Sequence, residues 1–189
     1  MKILENKFIC ILLMVVLIIG GLFIGGMKGL NGLYSDVEDV FFLGVDRDGI
    51  GVANDMTERV SAATNMVTIA RKYEATAPAE CRQAIESVNT ATASLESALS
   101  AEKIADAIGA NKILDLAVSD LYREIGNLNL SDKDEGYRQN LYADFNSRND
   151  TISHDPYNQY AQEYTDVLDG FPASLIASVM PVKTAGLAY

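Results

Sequence analysis

Three short stretches of this 189-residue chain hold side chains that could do chemistry. "DRDG" at 46–49 has the form of the opening of a calcium loop. An EF-hand loop starting at Asp46 would need an oxygen ligand at its fifth position and glutamate at its twelfth, and those positions hold Ile50 and Thr57. A turn is the expected structure. His154 beside Asp155 is half of a proton relay, but no motif places a serine or cysteine nucleophile next to the pair, so a helix start is the better reading. The acidic run "SDKDEG" (131–136) could attract a divalent cation weakly, whereas carboxylates in a first helical turn are already favoured by the helix dipole. These residues predict no catalytic, cofactor-binding or metal-ligating set, and the chain is not expected to be an enzyme. Cys10 lies inside an apolar run and Cys81 is the only cysteine after it, so no intrachain disulfide is expected in the soluble part. Two glycosylation sequons, at Asn129 and Asn149, are short enough to arise by chance.

The elements that would position such residues begin with "FICILLMVVLIIGGLFIGGM", twenty uncharged residues from Phe8 to Met27. At 1.5 Å per residue this run spans the roughly 30 Å of a bilayer core. A cleavable signal peptide would have a shorter apolar core and a small-x-small site after it, so a retained anchor is expected. The chain then divides into a short tail (1–7), a transmembrane helix (8–29) and one helical domain (30–189). The net charge is −11, and the portion after residue 27 carries −12, because Lys2 and Lys7 outnumber Glu5 by one. That acidity opposes binding to nucleic acid and lying flat on anionic lipid. Lys2 and Lys7 precede the span and Lys28 alone follows it before Arg47, which predicts a cytoplasmic N-terminus and an extracytoplasmic domain.

Beyond Lys28 the apolar residues recur with helical spacing. Leu30, Leu33, Tyr34, Val37, Val40 and Phe41 form a first stripe that continues the span, and "GVDRDGIG" (44–51) should end it. A second stripe runs Met56, Val60, Ala63, Val67, Ala70, Tyr73 and stops at Pro78. The third, from Ala79, places Ile85, Val88, Ala91 or Thr92, Leu95 and Leu99 on one face and continues weakly through Ile104 and Ile108 to a break at Gly109. A fourth holds Ile113, Leu114, Ala117, Leu121, Ile125 and Leu128. Ser131 should cap a fifth helix carrying Tyr137, Leu141, Phe145, Arg148 and Ile152. Asp155 and Pro156 have the form of an N-cap and first-turn proline for a last helix with Tyr157, Tyr160, Tyr164, Leu168 and Phe171 along one edge, closed by Gly170 and Pro172. No segment alternates as a strand does. The predicted fold is all-α: a single N-terminal transmembrane helix followed by an elongated antiparallel four-helix-type bundle.

The last helix and its flank, "YNQYAQEYTDVLDGFPASLIA" (157–177), resemble the C-terminal signature of the LemA family of bacterial membrane-anchored helical proteins. Tyr157, Asn158, Tyr164, Leu168, Phe171, Pro172, Leu175, Ile176 and Ala177 fit that pattern in register, and "GLYSDVEDVFF" (32–42) resembles the family's first helix. The chain departs from the family in "NDMTERVSAATNMVTIARKY" (54–73), which lacks its arginine pairs, and at His154, Asp155 and Pro156, where basic residues are usual. The resemblance implies an elongated helical bundle on one anchor. It implies no catalytic residues, since none define the family.

Gly21, Gly25 and Gly29 fall at i, i+4 and i+8, with Gly32 one turn on and Gly26 beside them, so they line one face of the membrane helix. In hydrocarbon, small residues let two helix backbones approach closely, which makes this face the candidate self-association surface. The tyrosine edge of Tyr157, Tyr160 and Tyr164 is the candidate partner surface, although rings at this spacing commonly pack inward with their hydroxyls at the rim. The expected function is a non-enzymatic, membrane-anchored scaffold or interaction protein of the bacterial envelope that contacts lipid and forms homo-oligomers. A filament or pilin-like subunit, with the apolar helix packed in a polymer core and Glu5 near its start, is the alternative. Lys7 and the missing processing motif count against it.

Overall fold

The computed structural model describes residues 7–189, and every regular element among them is helical. The helices are α1 (Lys7–Leu43), α2 (Val52–Lys72), α3 (Ala79–Ser100), α4 (Ile104–Gly126), α5 (Asp132–His154), α6 (Tyr157–Asp169) and α7 (Ala173–Val179). Apart from Lys7, which opens α1, the short tail expected at 1–7 lies outside the described residues, as does Glu5.

Helix α1 is 37 residues long and unbroken. Its N-terminal half is long and apolar enough to cross a membrane and is not buried against the protein. Burial begins at Leu30 and continues through Tyr34, Val37, Val40 and Phe41, one side of the same helix. Leu33, expected on this stripe, is instead exposed. The helix ends as anticipated at the glycine-rich segment. Gly44 takes φ 79°, Gly44 N–H donates to the Val40 carbonyl at 3.0 Å, and Gly49 N–H donates to the Leu43 carbonyl at 2.7 Å. A single 3₁₀ turn (Val45–Arg47) intervenes. Gly51 opens α2 with its backbone pressed against the carbonyls of Val40 and Phe41, leaving no space for a Cβ.

Helices α3 and α4 lie along each other, α2 lies along α5 and also packs on α3, and α6 lies on α1. The core joins Met56, Met66 and Val67 of α2, Ile85, Val88 and Leu95 of α3, Leu114, Val118, Leu121 and Ile125 of α4, and Phe145 and Ile152 of α5. Close approach of α3 to its neighbours rests on small residues, with Cys81, Ala84, Ala91 and Ala98 all buried.

The boundary between the third and fourth helices differs from the sequence expectation. The break falls at Ala101–Lys103, and Gly109 sits inside α4. Glu102 takes φ 52°, and the turn closes with Lys103 N–H on the Ala98 carbonyl (3.0 Å) and Glu102 N–H on that of Leu99 (3.1 Å). This is a Schellman end whose left-handed position holds glutamate rather than the usual glycine, so the sequence does not mark it. The expected inward face of α4 holds at Leu114, Ala117, Leu121 and Ile125, all buried. Ile108 is buried on it, and Ile113, expected inside, is exposed. On α5, Tyr137 is likewise exposed and the apolar face narrows to Phe145 and Ile152. Helix α7, which follows the cis peptide Phe171–Pro172, was not anticipated.

A Cβ at Gly109 meets nothing within 4 Å. Replacing Gly109 with alanine should therefore stabilise α4 by about 0.5–1 kcal/mol, read as a rise in Tm. A lowered Tm would show that the chain needs glycine there.

Candidate functional site

The glycine face of α1 is open. A Cβ at Gly21, Gly25, Gly29 or Gly32 meets no neighbouring atom within 4 Å. Helix α7 packs on the other side, where Phe23, Met27 and Leu30 meet Ala173 and Ile176. A Cβ on Gly26 would overlap the Ile176 side chain, so this glycine admits α7 rather than joining the open seam.

The tyrosine edge is mostly closed, which corrects its reading as a partner surface. Tyr157 is fully buried, its ring edge-on to Phe41 with centroids 5.0 Å apart, and its hydroxyl donates to the Gly186 carbonyl at 2.8 Å. Burial holds that phenol well above its ordinary pKa. Tyr164 is also buried, meets Tyr34 edge-on at 5.7 Å and donates to the Lys183 carbonyl at 2.8 Å. Asn158 completes the arrangement, accepting the Ala188 N–H at 2.9 Å while its amide donates to the Ile152 carbonyl at 2.8 Å. These hydroxyl and amide groups bind the chain's own C-terminal segment. Tyr160 alone of the three tyrosines is exposed, beside a shallow groove of about 220 Å³ between α1 and α6.

The remaining chemical candidates are structural. Asp48 Oδ1 accepts the Ile50 N–H at 2.9 Å and Asp39 pairs with Arg47 at 2.7 Å, so "DRDG" is a turn held by its own side chains. His154 is largely exposed, and Ser153 Oγ does lie 3.0 Å from it. That contact falls on Nδ1, the same nitrogen that faces Asp150, and a relay needs serine and carboxylate on opposite ring nitrogens. Asp155 instead accepts the Tyr157 N–H at 2.8 Å and starts α6, and burial raises its pKa. No group of three or more His, Cys, Asp or Glu that could hold a metal occurs among the described residues.

The acidic start of α5 is a tie between helices. Ser131 Oγ accepts the Asp134 N–H at 3.2 Å, and Asp134 in turn accepts from Lys72 at 2.6 Å and from the Tyr73 hydroxyl at 2.7 Å, both at the end of α2. Arg138 forks onto Glu135 at 2.8 and 2.7 Å, reaches the Tyr122 carbonyl of α4 at 2.9 Å and lies over the Tyr122 ring. The Lys72 bond foremost holds Asp134 down to about 2, and the Arg138 bond holds Glu135 down to about 2.

One buried polar centre was missed. Arg59 of α2 is fully buried, bonds Asn111 and Asp115 of α4, and stacks over the Phe145 ring of α5 at 4.0 Å. One turn earlier, buried Asp55 pairs with Arg148 of α5 at 3.1 Å. The signal lay in the spacing: Asp55 and Arg59 sit at i and i+4 beside the apolar stripe of Met56 and Val60. Alone in this group, Arg59 Nε has no hydrogen-bond partner.

No family model matches the chain, and neither a curated protein nor a solved structure matches it.

Because Asp134 and Glu135 titrate lower in the folded chain than their ordinary 3.8 and 4.5, the unfolded chain takes up protons first as pH falls. Their stabilisation should be complete above about pH 5 and lost progressively toward about pH 2. Thermal unfolding followed between those limits should show a steep decline for the natural sequence and a shallower one for Asp134→Asn. Equal slopes would mean that the α2–α5 tie does not report on this carboxylate.

Proposed function

We propose that this protein is a non-enzymatic, membrane-anchored scaffold of the bacterial cell envelope that associates with copies of itself, in keeping with the resemblance of its sequence to the LemA family. In this reading α2 to α5 are the four-helix bundle, and α1 is both the anchor and a support for α6. The observation that carries it is the open seam of Gly21, Gly25 and Gly29 on the exposed half of α1, on the side away from α7. Glycine on one face permits close backbone contact in lipid, where apolar burial supplies little drive for pairing. No catalytic, cofactor or metal role is assigned to any side chain. A filament subunit is the second reading, favoured by the unbroken course of α1, half projecting and half seated in the domain.

Replacing Gly21 and Gly25 with leucine adds hydrophobicity and helix propensity, so membrane insertion should persist while association falls. Crosslinking or native mass measurement in mild detergent should show oligomers for the natural chain and fewer for the double variant. Monomers in both cases would remove self-association from the reading, and sedimentable polymers lost in the variant would favour the filament. The lysine distribution orients the domain outside the cell. Protease added to intact cells should then digest the domain, and full protection with an accessible N-terminal tag would reverse the topology.

A further inference from the structure

Helix α7 belongs to an uncharged stretch, "GFPASLIASVMPV" (170–182), bounded by Asp169 and Lys183. Its inner side is accounted for: Ala173 and Ile176 are buried against Phe23, Gly26, Met27 and Leu30 of α1. Its outer side is not covered. Leu175 and Val179, one turn apart on α7, are 50% and 67% exposed, and Phe171, just before the helix, is 87% exposed. A row of large apolar side chains on the surface of a water-soluble segment costs free energy in proportion to its area.

The position of α7 along α1 supplies the occupant. Phe23 and Met27 belong to the apolar run that ends at Met27, so α7 lies beside the last one to two turns of that run, before and around Lys28. If α1 crosses a bilayer as proposed above, those turns lie where acyl chains meet headgroups, and α7 is carried to the same depth. An interfacial segment presents its apolar face to the outer roughly 5–10 Å of the hydrocarbon. The chemistry agrees. Ser178 Oγ donates to the Leu175 carbonyl at 2.7 Å, which keeps its hydroxyl satisfied without water. Lys183 at the end of the stretch reaches back to Glu38 at 3.4 Å, on the domain side of the span. A second chain or a soluble protein partner would not require this row to coincide with the end of the apolar run.

We propose that the Phe171–Val179 segment is a second membrane-contacting element, a short interfacial helix that inserts Phe171, Leu175 and Val179 into the lipid beside α1 and holds the domain against the bilayer. The inference rests on the membrane reading of α1, and the test separates the two.

The chain contains no tryptophan, so an introduced one is the sole indole emitter. Single variants Phe171→Trp and Leu175→Trp, at exposed positions that tolerate a larger ring, would be reconstituted as full-length protein into phosphatidylcholine vesicles with or without brominated acyl chains. Leu17→Trp in the middle of the span and Ile113→Trp on the exposed face of α4 serve as references. The expected result is blue-shifted emission and quenching of about twofold or more by brominated lipid at positions 171, 175 and 17, and neither at 113. Quenching at 17 without quenching at 171 and 175 would overturn the inference and leave the anchor intact. A blue shift at 171 and 175 without quenching would mean that protein covers them, which overturns it equally. Absence of quenching at position 17 as well would sink the membrane reading and the inference with it. Unchanged far-ultraviolet dichroism would show that the variants fold.

Discussion

One helix joins two unlike halves, an exposed apolar half long enough to cross a membrane and a half packed into the domain, and the rest of the molecule is arranged around it. A backbone in hydrocarbon must satisfy its own polar groups, which a continuous helix does and a flexible linker does not. Helix α1 runs from its exposed apolar half into the domain without a break, and its last turns become part of the core through Tyr34, Val37 and Phe41. Projecting half and domain are thus coupled rigidly, since the domain cannot turn relative to the projecting half without disturbing buried packing. Glycine weakens helix propensity, and in α1 Gly26 lies where the helix admits Ile176 while Gly21, Gly25 and Gly29 lie on an open face.

The domain beyond α1 is held by apolar stripes and by a few buried polar ties whose partners come from different helices. Arg59 bridges α2 to α4 and lies on α5 through Phe145, while Asp134 binds the end of α2. A buried guanidinium costs desolvation, which burial registers by lowering the Arg59 pKa, and its bonds to Asn111 and Asp115 offset part of that cost. These bonds join α2 to α4 across the core. The weakly apolar α5, with Phe145 and Ile152 as its main buried hydrophobes, is fixed in the same way by its charged residues.

The C-terminal segment closes the structure after α7. Tyr157, Asn158 and Tyr164 take the backbone of Lys183, Gly186 and Ala188, so the helix that resembles a family signature has side chains directed at its own chain. The same segment returns to α1, where Lys183 lies over the Tyr34 ring at 4.6 Å. α1, α6 and the tail are thus packed on one another.

Local chemistry by itself determined the all-helical character, the end of α1 before Gly44, the Ser131 cap, the Asp155 bond to Tyr157 N–H at the start of α6 and the long apolar run, because periodicity, capping oxygens and glycine act within a few residues. It did not determine the end of α3, where Glu102 adopts a left-handed φ because the Schellman bonds and the packing of α4 hold it there. Nor did it reveal that Ile113 faces outward, that Arg59 is buried, or that the tyrosine edge is occupied by residues 183–188. The glycine seam was legible as a spacing, but only the packing of α7 divided it into Gly26, which is used, and Gly21, Gly25 and Gly29, which are open. Tertiary structure decided these points because each depends on which face of a helix meets which distant neighbour, and spacing along one helix carries no information about its partners.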